Sequence, residues 1–355
     1  MRNGVRNSIA LSVIVPVYNA SETLEKCLAA LLKSSCKKIE IIVVNDCSTD
    51  GSAAVAGKMG VRVIDRDRRG GPAAARNAGA RHASGEILLF VDADVAVTEA
   101  TLQQVLQTFE ENPQLTAVFG SYDTEPACSN FLSQYKNLLH HYVHQNSMEE
   151  AITFWAGCGA IRKGIFLATG GFNERKYPHP SIEDIELGLR LWQKHHPVRL
   201  DKRLQVKHLK HWNWFTLLKA DILYRAYPWS NLILESSILP DDLNLQFSHR
   251  ISAILAGTLV VLIPFLVPAH RWFPSPTVTL IGFAIVLIMI LFVILNRHLY
   301  QFFFRQHGFA FALFAIPWHL FYYCYSGVTF AVCWFQYKLK ALFSFAKEVS
   351  GKGIG

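Results

Sequence analysis

The sequence has 355 residues, with 35 Lys and Arg against 27 Asp and Glu and a formal net charge of +8. Charged, mixed sequence continues to about Arg250, and long apolar runs follow. The positive charge is spread along the chain rather than collected in one block, and basic residues gather near the apolar runs and around Arg66 to Arg69. This distribution argues for anionic lipid or nucleotide phosphate as a partner and against nucleic acid. Composition therefore predicts a soluble domain followed by a membrane region.

Two further features bear on the compartment. The seven cysteines show no Cys-x-x-Cys spacing, so we predict reduced, buried thiols in a cytosolic domain. Near the N-terminus, Ala10 to Val17 is apolar but too short to span a membrane, and it leads directly into strand and turn signals. We predict no signal peptide.

Strand and helix patterns alternate along the first part of the chain. An apolar run from Leu11 to Val15 predicts a buried strand, and the spacing of apolar residues after Ser21 predicts a helix. Two further strands are predicted at Ile39 to Val44 and Val61 to Ile64, before a helix that Gly70-Gly71-Pro72 opens. This alternation predicts an α/β fold with a doubly wound, mostly parallel sheet.

The next strand carries a pair of carboxylates. Ile87 to Val91 is an unbroken apolar run, typical of a strand buried on both faces, and Asp92-Ala93-Asp94 follows at its carboxyl end. Ligands of open α/β sheets bind at that edge, and two carboxylates suit Mg²⁺ or Mn²⁺ carrying a diphosphate. A strand-terminal turn with a helix cap is the alternative for this short motif.

Four short motifs occur in order over some eighty residues, and together they resemble family 2 glycosyltransferases of the GT-A fold. The motifs are Val15-Pro16-x-Tyr18-Asn19, Asn45-Asp46-x-Ser48-Thr49-Asp50-Gly51, Gly71-Pro72-Ala73-x-x-Arg76-Asn77-x-Gly79 and Asp92-Ala93-Asp94. The resemblance implies a nucleotide-diphosphate-sugar donor, with a UDP-sugar expected, and a divalent metal ion.

The resemblance also implies roles for single residues in donor binding. Asp46 would lie near the base or ribose, Asp92 near the ribose and diphosphate beside Ala93, and Asp94 on the metal. The stretch from Pro16 to Tyr18 would line the nucleoside, and Arg76 would lie near the base or phosphates. A helix-capping turn for Asp46 and a surface position for Arg76 are the alternatives.

The following segment resembles the acceptor half of the same family. Thr169-Gly170-Gly171-Phe172-Asn173-Glu174 predicts a tight turn, and a helix is predicted to start near Ser181. The resemblance makes Asp184 of the Glu183-Asp184 pair the general base, with Glu183 and Glu186 in supporting or capping positions. Acids are favoured in a first helical turn without any catalytic role, which is the alternative for both.

Several positions leave alternatives open. The Gln-x-x-Arg-Trp motif of processive family members is replaced here by Gln205-Val206-Lys207-His208-Leu209, which argues for a non-processive enzyme. His208 follows a predicted strand, where a metal or diphosphate ligand would be useful, or it is an ordinary buried or surface histidine. A predicted helix from Phe131 to Met148 holds three histidines, 140, 141 and 144, for which we favour a solvated or acceptor-facing helix over a metal cluster.

The C-terminal part divides into a linker and a membrane region. We predict a GT-A domain over residues 1–210, an interfacial amphipathic helix and linker over 211–250, and a membrane region over 251–355 with a basic tail. Trp214 to Tyr227 is the interfacial helix, ended by Pro228. Spans are predicted at about 251–267, 278–295 and 309–335, although a re-entrant hairpin for the third would keep the basic tail on the catalytic side.

Together these observations predict an integral membrane, metal-dependent, inverting hexosyltransferase. We expect the catalytic domain to face the cytoplasm, at a bacterial inner membrane, with a lipid or lipid-linked hydroxyl as acceptor of the sugar and glycolipid as product. A polyprenyl-phosphate glycosyltransferase and a polysaccharide-assembly glycosyltransferase are the alternatives. A transporter is disfavoured because the first two predicted spans hold no ionisable residues. The oligomeric state is unknown.

Overall fold

The computed structural model describes residues 10–236, 238, 243, 246–272 and 274–351. The chain divides into two compact units, the first ending at Trp214 and the second beginning at Phe215. The predicted catalytic domain, residues 1–210, therefore corresponds to the first unit to within four residues.

The first unit is built around an eight-stranded sheet with helices on both faces. Its strand order is β3-β2-β1-β4-β7-β6-β8-β5. The strands are β1 (Leu11–Val17), β2 (Ile39–Asn45), β3 (Arg62–Asp65), β4 (Ile87–Val91), β5 (Val95–Ala96), β6 (Ala117–Tyr122), β7 (Cys158–Arg162) and β8 (Val198–His208). The helices are α1 (Ser21–Leu32), α2 (Ser52–Lys58), α3 (Gly71–His82), α4 (Thr101–Glu111), α5 (Phe131–Gln145), α6 (Lys163–Ala168) and α7 (Glu183–Gln193).

The predicted α/β class is confirmed. Strands β1 to β4 run parallel, as do β6 and β8, whereas β7 is antiparallel to both of its neighbours and β5 to β8. Of the stretch from Phe154 to Arg162, only Cys158–Arg162 pairs in the sheet. The antiparallel strand β7 lies between β4 and β6. The parallel strands β1 to β4 and the pair of β6 and β8 therefore belong to one sheet.

Side chains of β1 and β4 alternate between two buried layers. Val13 and Val15 pack on one face of the sheet, while Ile14 packs on the other with Leu88 and Phe90. Burial on both faces is the reason these strands have continuous apolar sequences. The sheet core therefore follows directly from the sequence pattern.

Helix α3 lies unusually close to the sheet because it is rich in alanine and glycine. A Cβ atom on Gly79 would come within 2.5 Å of Ile14 and 3.1 Å of Val44. This close approach carries Arg76 and Asn77, one turn into α3, to the edge at which β4 ends.

The second unit is helical. It contains most of α8 (Trp214–Lys219), a π-helical segment (Ala220–Ala226), α9 (Tyr227–Ser236), α10 (Phe247–Trp272), α11 (Ser275–Leu295) and α12 (Arg297–Gly351). The prediction that Pro228 ends the helix was wrong, because Pro228 is the second residue of α9, which follows the π-helical segment without a break. The π-helical segment, Ala220–Ala226, is wound more widely than the α-helices before and after it.

Two described helices are long and apolar enough to cross a membrane, at Phe247–Leu266 and Ser275–Leu295. They coincide with the first two predicted spans. The third predicted span, residues 309–335, is part of α12, and the number of spans stays a prediction. Inside α12 the backbone departs from helical geometry at Gly308, with φ of 79°, and the segment after it is one continuous helix.

Candidate active site

The site begins at the turn that follows β4. The amide of Asp92 donates to the carbonyl of Gly157 on the neighbouring chain segment, at 3.2 Å, and Val95 N donates back to Asp92 O at 3.0 Å. This tight turn places both carboxylates beyond the end of the strand. Ala93 between them is buried and packs its methyl group in the core, so only its backbone faces the edge.

Arg76 joins the two halves of the site. Its guanidinium donates to Asp92 Oδ1 at 2.6 Å and to Glu183 Oε1 at 2.8 Å, and the arginine is buried. Burial works against its charge, but the two carboxylates outweigh burial and hold the pKa of Arg76 above its usual range. The surface alternative for Arg76 was therefore wrong, because α3 packs too closely on the sheet to leave it exposed.

Asp184 lies one residue beyond Glu183, in the first turn of α7. Its carboxylate accepts from the amide of Ala156 at 3.0 Å and from its neighbour Ile185 N at 2.8 Å. Burial, with the adjacent negative charge of Glu183, raises the pKa of Asp184 to about 7. A carboxylate with that pKa is poised to take a proton near neutral pH.

Glu183 and Glu186 have supporting contacts. Besides its bond to Arg76, Glu183 accepts from Ser181 N at 3.0 Å, which fixes the chain just before α7. Glu186 pairs with Arg190 at 2.8 Å, and Arg190 also donates to the carbonyl groups of Thr169 and Gly171. The acids around Asp184 thus anchor the helix and the turn before it.

Asn77 connects that turn to α3. Its side-chain amide donates to Phe172 O at 2.8 Å and its oxygen accepts from Phe172 N at 2.9 Å. Gly171 has a φ of +66°, and a Cβ there would come within 2.5 Å of the Asn77 oxygen, so glycine is required by both conformation and space. The motif that contains Asn77 and the Gly170-Gly171-Phe172 turn are therefore in direct contact.

Asp46 lies at the end of β2, away from the Arg76 network. Its carboxylate accepts from Gly70 N at 3.0 Å and Gly71 N at 2.7 Å, and it pairs with Arg66. The aspartate is buried. In this arrangement Asp46 holds the loop before α3 in place.

The predicted nucleoside-lining stretch lies at the same edge. Pro16 is part of β1 opposite Val44, and Tyr18 is 39% exposed beyond the strand end. The guanidinium carbon of Arg69 lies 3.7 Å from the centroid of the Tyr18 ring, a cation–π geometry. Tyr18 and Arg69 together present one flat, partly exposed surface.

Asp94 and His208 are brought together by the pairing of β5 with β8, in which Val95 lies opposite His208. Burial disfavours the charge of Asp94, but Lys210, at 3.4 Å, and His208 outweigh burial and hold the pKa of Asp94 below its usual value. His208 is buried and stacks on Tyr122 at 4.2 Å between ring centroids. The carboxylate of Asp94 remains ionised, as a metal ligand must be.

The donor set fits a divalent ion that also binds a diphosphate. Within the part of the chain that the structure describes, no three His, Cys, Asp or Glu side chains converge to form a complete metal site. Mg²⁺ and Mn²⁺ sites of phosphate-transferring enzymes need only one or two protein carboxylates, with substrate oxygens and water completing the octahedron. Asp94, with Asp92 or His208 beside it, meets that requirement.

The histidines of α5 have structural contacts. His141 Nδ1 donates to Tyr122 O at 2.7 Å and His144 Nδ1 donates to Gly120 O at 3.0 Å, which ties the helix to β6. Burial lowers the pKa of His144 to about 4, so its ring is neutral at pH 7. His140 packs on Tyr122 and on Trp155, next to the Ala156 amide that holds Asp184. A solvated helix was the wrong expectation, since this face of α5 is packed against the sheet.

Comparisons with known proteins agree with this geometry. Residues 12–168 match the family model described as "Glycosyl transferase family 2". This segment of the first unit is therefore similar to family 2 glycosyltransferase domains. The matched segment runs from β1 to α6 and includes Asp46, Arg76, Asp92 and Asp94, while Asp184 lies beyond it. The predicted GT-A type of α/β sheet is confirmed together with the helical C-terminal region.

Named relatives match parts of the chain. It is 33% identical over 126 residues to glycosyltransferase GlyG of Streptococcus pneumoniae, which is 34% of this chain and 42% of GlyG. An uncharacterized glycosyltransferase of Haemophilus influenzae is 29% identical over 195 residues, 52% of this chain and 62% of that protein. The matched regions thus span about half the length of these relatives. Among solved structures, the mannosyltransferase PcManGT from Pyrobaculum calidifontis in complex with GDP-Man and Mn²⁺ has a TM-score of 0.49 and 16% identity, over 91% of this chain and 86% of that one.

Sequence reasoning missed three contributors to the site. Lys210 and Tyr122 reach Asp94 and His208 through strand pairing, and no local motif marks them. Arg69 was noted only as part of a basic cluster, whereas the cation–π contact with Tyr18 gives it a specific position. Only the basic cluster offered a signal in the sequence.

Proposed function

We propose that this protein is an inverting, metal-dependent glycosyltransferase. It moves a sugar from a nucleotide-diphosphate-sugar donor to a lipid or lipid-linked hydroxyl at a membrane. The observation that carries the proposal is the environment of Asp184: a carboxylate with a pKa of about 7 adjoins a network that reaches the donor-side Asp92 through Glu183 and Arg76.

The donor would bind along the edge formed by β1, β2 and β4. Tyr18 and Arg69 offer a stacking surface for the nucleobase, and the Asp46-anchored loop forms the neighbouring wall. Arg76 orients Asp92 toward the ribose and diphosphate end. A bound Mg²⁺ or Mn²⁺ at Asp94 would supply positive charge to the departing diphosphate.

Transfer would proceed as one displacement at the anomeric carbon. The acceptor oxygen forms a bond to that carbon as the bond between the carbon and the diphosphate oxygen breaks, and the acceptor proton passes to the carboxylate of Asp184. The nucleoside diphosphate leaves with the bonding electron pair. Attack opposite the leaving group inverts the configuration, and a base is needed because a neutral hydroxyl is a weak nucleophile.

The acceptor is proposed to be a lipid-borne hydroxyl. A polyprenyl phosphate is already ionised and requires no base, whereas the pKa of Asp184 suits removal of a hydroxyl proton. Two helices of spanning length follow the catalytic unit, which favours a substrate held in the membrane. We propose in addition that the catalytic unit faces the cytoplasm, because its donor would be a water-soluble nucleotide sugar.

The test is transfer by purified full-length enzyme from a panel of labelled nucleotide sugars to total membrane lipid extract with Mn²⁺. We expect label in the organic phase, in a product that resists mild acid. Label confined to a water-soluble oligosaccharide would contradict the lipid acceptor. Label in an acid-labile phosphodiester would instead identify polyprenyl phosphate as the acceptor.

A further inference from the structure

The last helix, α12, contacts the other helices of its unit in a restricted region. Tyr323 OH lies 2.5 Å from His249 Nδ1, near the start of α10, and Cys324 lies against the carbonyl of Ala256 in the same part of α10. His319 and Tyr323 pack on Phe292, in the last turn of α11. Helix α12 therefore meets the first half of α10, as far as Ala256, and the last turn of α11.

The opposite end of these two helices is uncovered by any described element. Phe265, in the second half of α10, is 58% exposed, and Phe283, in the third turn of α11, is 70% exposed. A third helix crossing the membrane beside them would cover apolar side chains at this depth. The exposed ends are expected of two helices that enter lipid as a hairpin.

Beyond Tyr323, α12 runs along the segment that precedes α10. Tyr325 donates to Asp221 at 2.8 Å, Cys333 lies against Tyr227 O, and Tyr227 OH lies 3.3 Å from Gln336. These contacts extend over twelve residues of α12, from Tyr325 to Gln336, which is about 16 Å of helix. The second half of α12 thus lies beside the π-helical segment and α9.

The face of α12 that has no contact with this segment is apolar. Val328, Val332, Phe335, Leu339 and Leu342 recur every three or four residues and form one exposed stripe. Trp334 and Tyr337 beside the stripe are the residue types found at membrane interfaces. Lys338 and Lys340 are exposed on the same part of the helix, where anionic lipid headgroups would attract them.

We propose that α12 is an interfacial helix that rests on the lipid surface, and that the chain crosses the membrane only twice, through α10 and α11. The lipid layer is the partner of the stripe defined by residues 328, 332, 335, 339 and 342. This topology keeps Lys338 and Lys340 on the side where α10 begins, which agrees with the positive-inside tendency, whereas three spans would not. It rests on the proposed membrane function and replaces the third predicted span.

Cysteine labelling tests the topology. The four partly exposed cysteines, 36, 47, 128 and 324, are first replaced by serine, and single cysteines are then introduced by Lys340→Cys, Glu110→Cys in the catalytic unit and Ser275→Cys between α10 and α11. In sealed vesicles, an impermeant maleimide should label positions 340 and 110 from one side and position 275 from the other. Labelling of 340 together with 275 would overturn the proposal, and labelling of all three from one side would overturn the spans themselves.

Depth measurements test the surface location. Nitroxide labels at Val328→Cys, Phe335→Cys and Leu342→Cys sit on one face of the helix, so an interfacial helix places all three at nearly the same depth in vesicles containing phosphatidylglycerol. A spanning helix would separate the first and last by about 21 Å along its axis, and a depth difference of that size would sink the inference. Sugar transfer is measured on the same proteins, so active enzyme with a spanning α12 would refute this inference alone.

Discussion

Asp46 and Asp184 are both carboxylates at the ligand edge of one sheet, and their surroundings differ. Asp46 accepts two glycine amides and pairs with Arg66, so positive charge and backbone dipoles satisfy it. Asp184 accepts two amides beside a negative neighbour, and its pKa rises to about 7. Neighbouring groups rather than residue type therefore separate a carboxylate that holds a loop from one able to accept a proton.

The largest expected effect is on catalysis at Asp184. Asp184→Asn keeps the shape and removes the proton acceptor, so transfer should fall about 10²- to 10⁴-fold while donor binding stays intact. Turnover and nucleotide affinity are measured in parallel. Asp201→Asn is the matched control, since Asp201 pairs with Arg203 at 3.0 Å outside the site. Near-normal transfer by Asp184→Asn would reduce Asp184 to a helix-capping residue.

The next effect concerns the arginine that joins the two halves. Arg76→Gln leaves Asp92 and Glu183 without their shared cation, and breaking a buried ion pair on one side costs about 3–5 kcal/mol of unfolding free energy. Denaturant unfolding in detergent measures this loss. The pair between Arg62 and Glu40, 3.7 Å apart, provides the control, because the Arg62 side chain is 48% exposed and Arg62→Gln should cost about 0–1 kcal/mol. Equal losses of unfolding free energy for the two variants would show that the ion pairs of Arg76 do not stabilise the fold more than an ordinary surface pair does.

A third prediction separates Asp94 from the base. Asp94→Ala should abolish the strengthening of nucleotide diphosphate binding by Mn²⁺, because the carboxylate closest to His208 is lost. Calorimetry with and without the metal measures the difference, and metal-free affinity should change little. If Mn²⁺ still strengthened binding to the variant as in the parent, Asp94 would not be the metal ligand.

The pH dependence of the reaction tests the raised pKa of Asp184 without a mutation. Because Asp184 must be ionised to accept a proton, kcat/KM should fall about tenfold per pH unit below about 7. Rates measured between pH 5 and 9, under donor-limited conditions, give the profile. An acidic limb with its midpoint near pH 4 would mean that the carboxyl group is not perturbed in the working enzyme.

The smallest expected effect is on stability. A carboxyl group whose pKa is higher in the folded protein stabilises the fold while protonated, and this contribution is lost as the pH rises through about 7. Asp184→Asn does not titrate, so it should be more stable than the parent at pH 8 by a few degrees in Tm, with the gap closing toward pH 5. Thermal unfolding at both pH values measures the gap, and a constant difference would contradict the assignment.

Local sequence determined the elements and the identity of the principal acids. Continuous apolar runs required strands buried on both faces, so the positions of Asp46, Asp92 and Asp94 just beyond the ends of β2 and β4 were predictable, while their roles stay a prediction. The first two apolar helices of the C-terminal part were equally evident from length and composition. Such features depend on neighbours along the chain, which is why the sequence alone specifies them.

Only the tertiary structure decided which of these residues meet. Arg76 reaches Glu183 across 107 positions because small residues in α3 permit close packing on the sheet, and Asp94 meets His208 through the pairing of β5 with β8. The environment of Asp184 depends on Ala156 N, which belongs to the segment before β7. In the second unit, composition left the location of α12 open, because an apolar helix is compatible with both a span and the membrane surface. The contacts of α12 with the first half of α10, which only the tertiary structure provides, support the surface location proposed above.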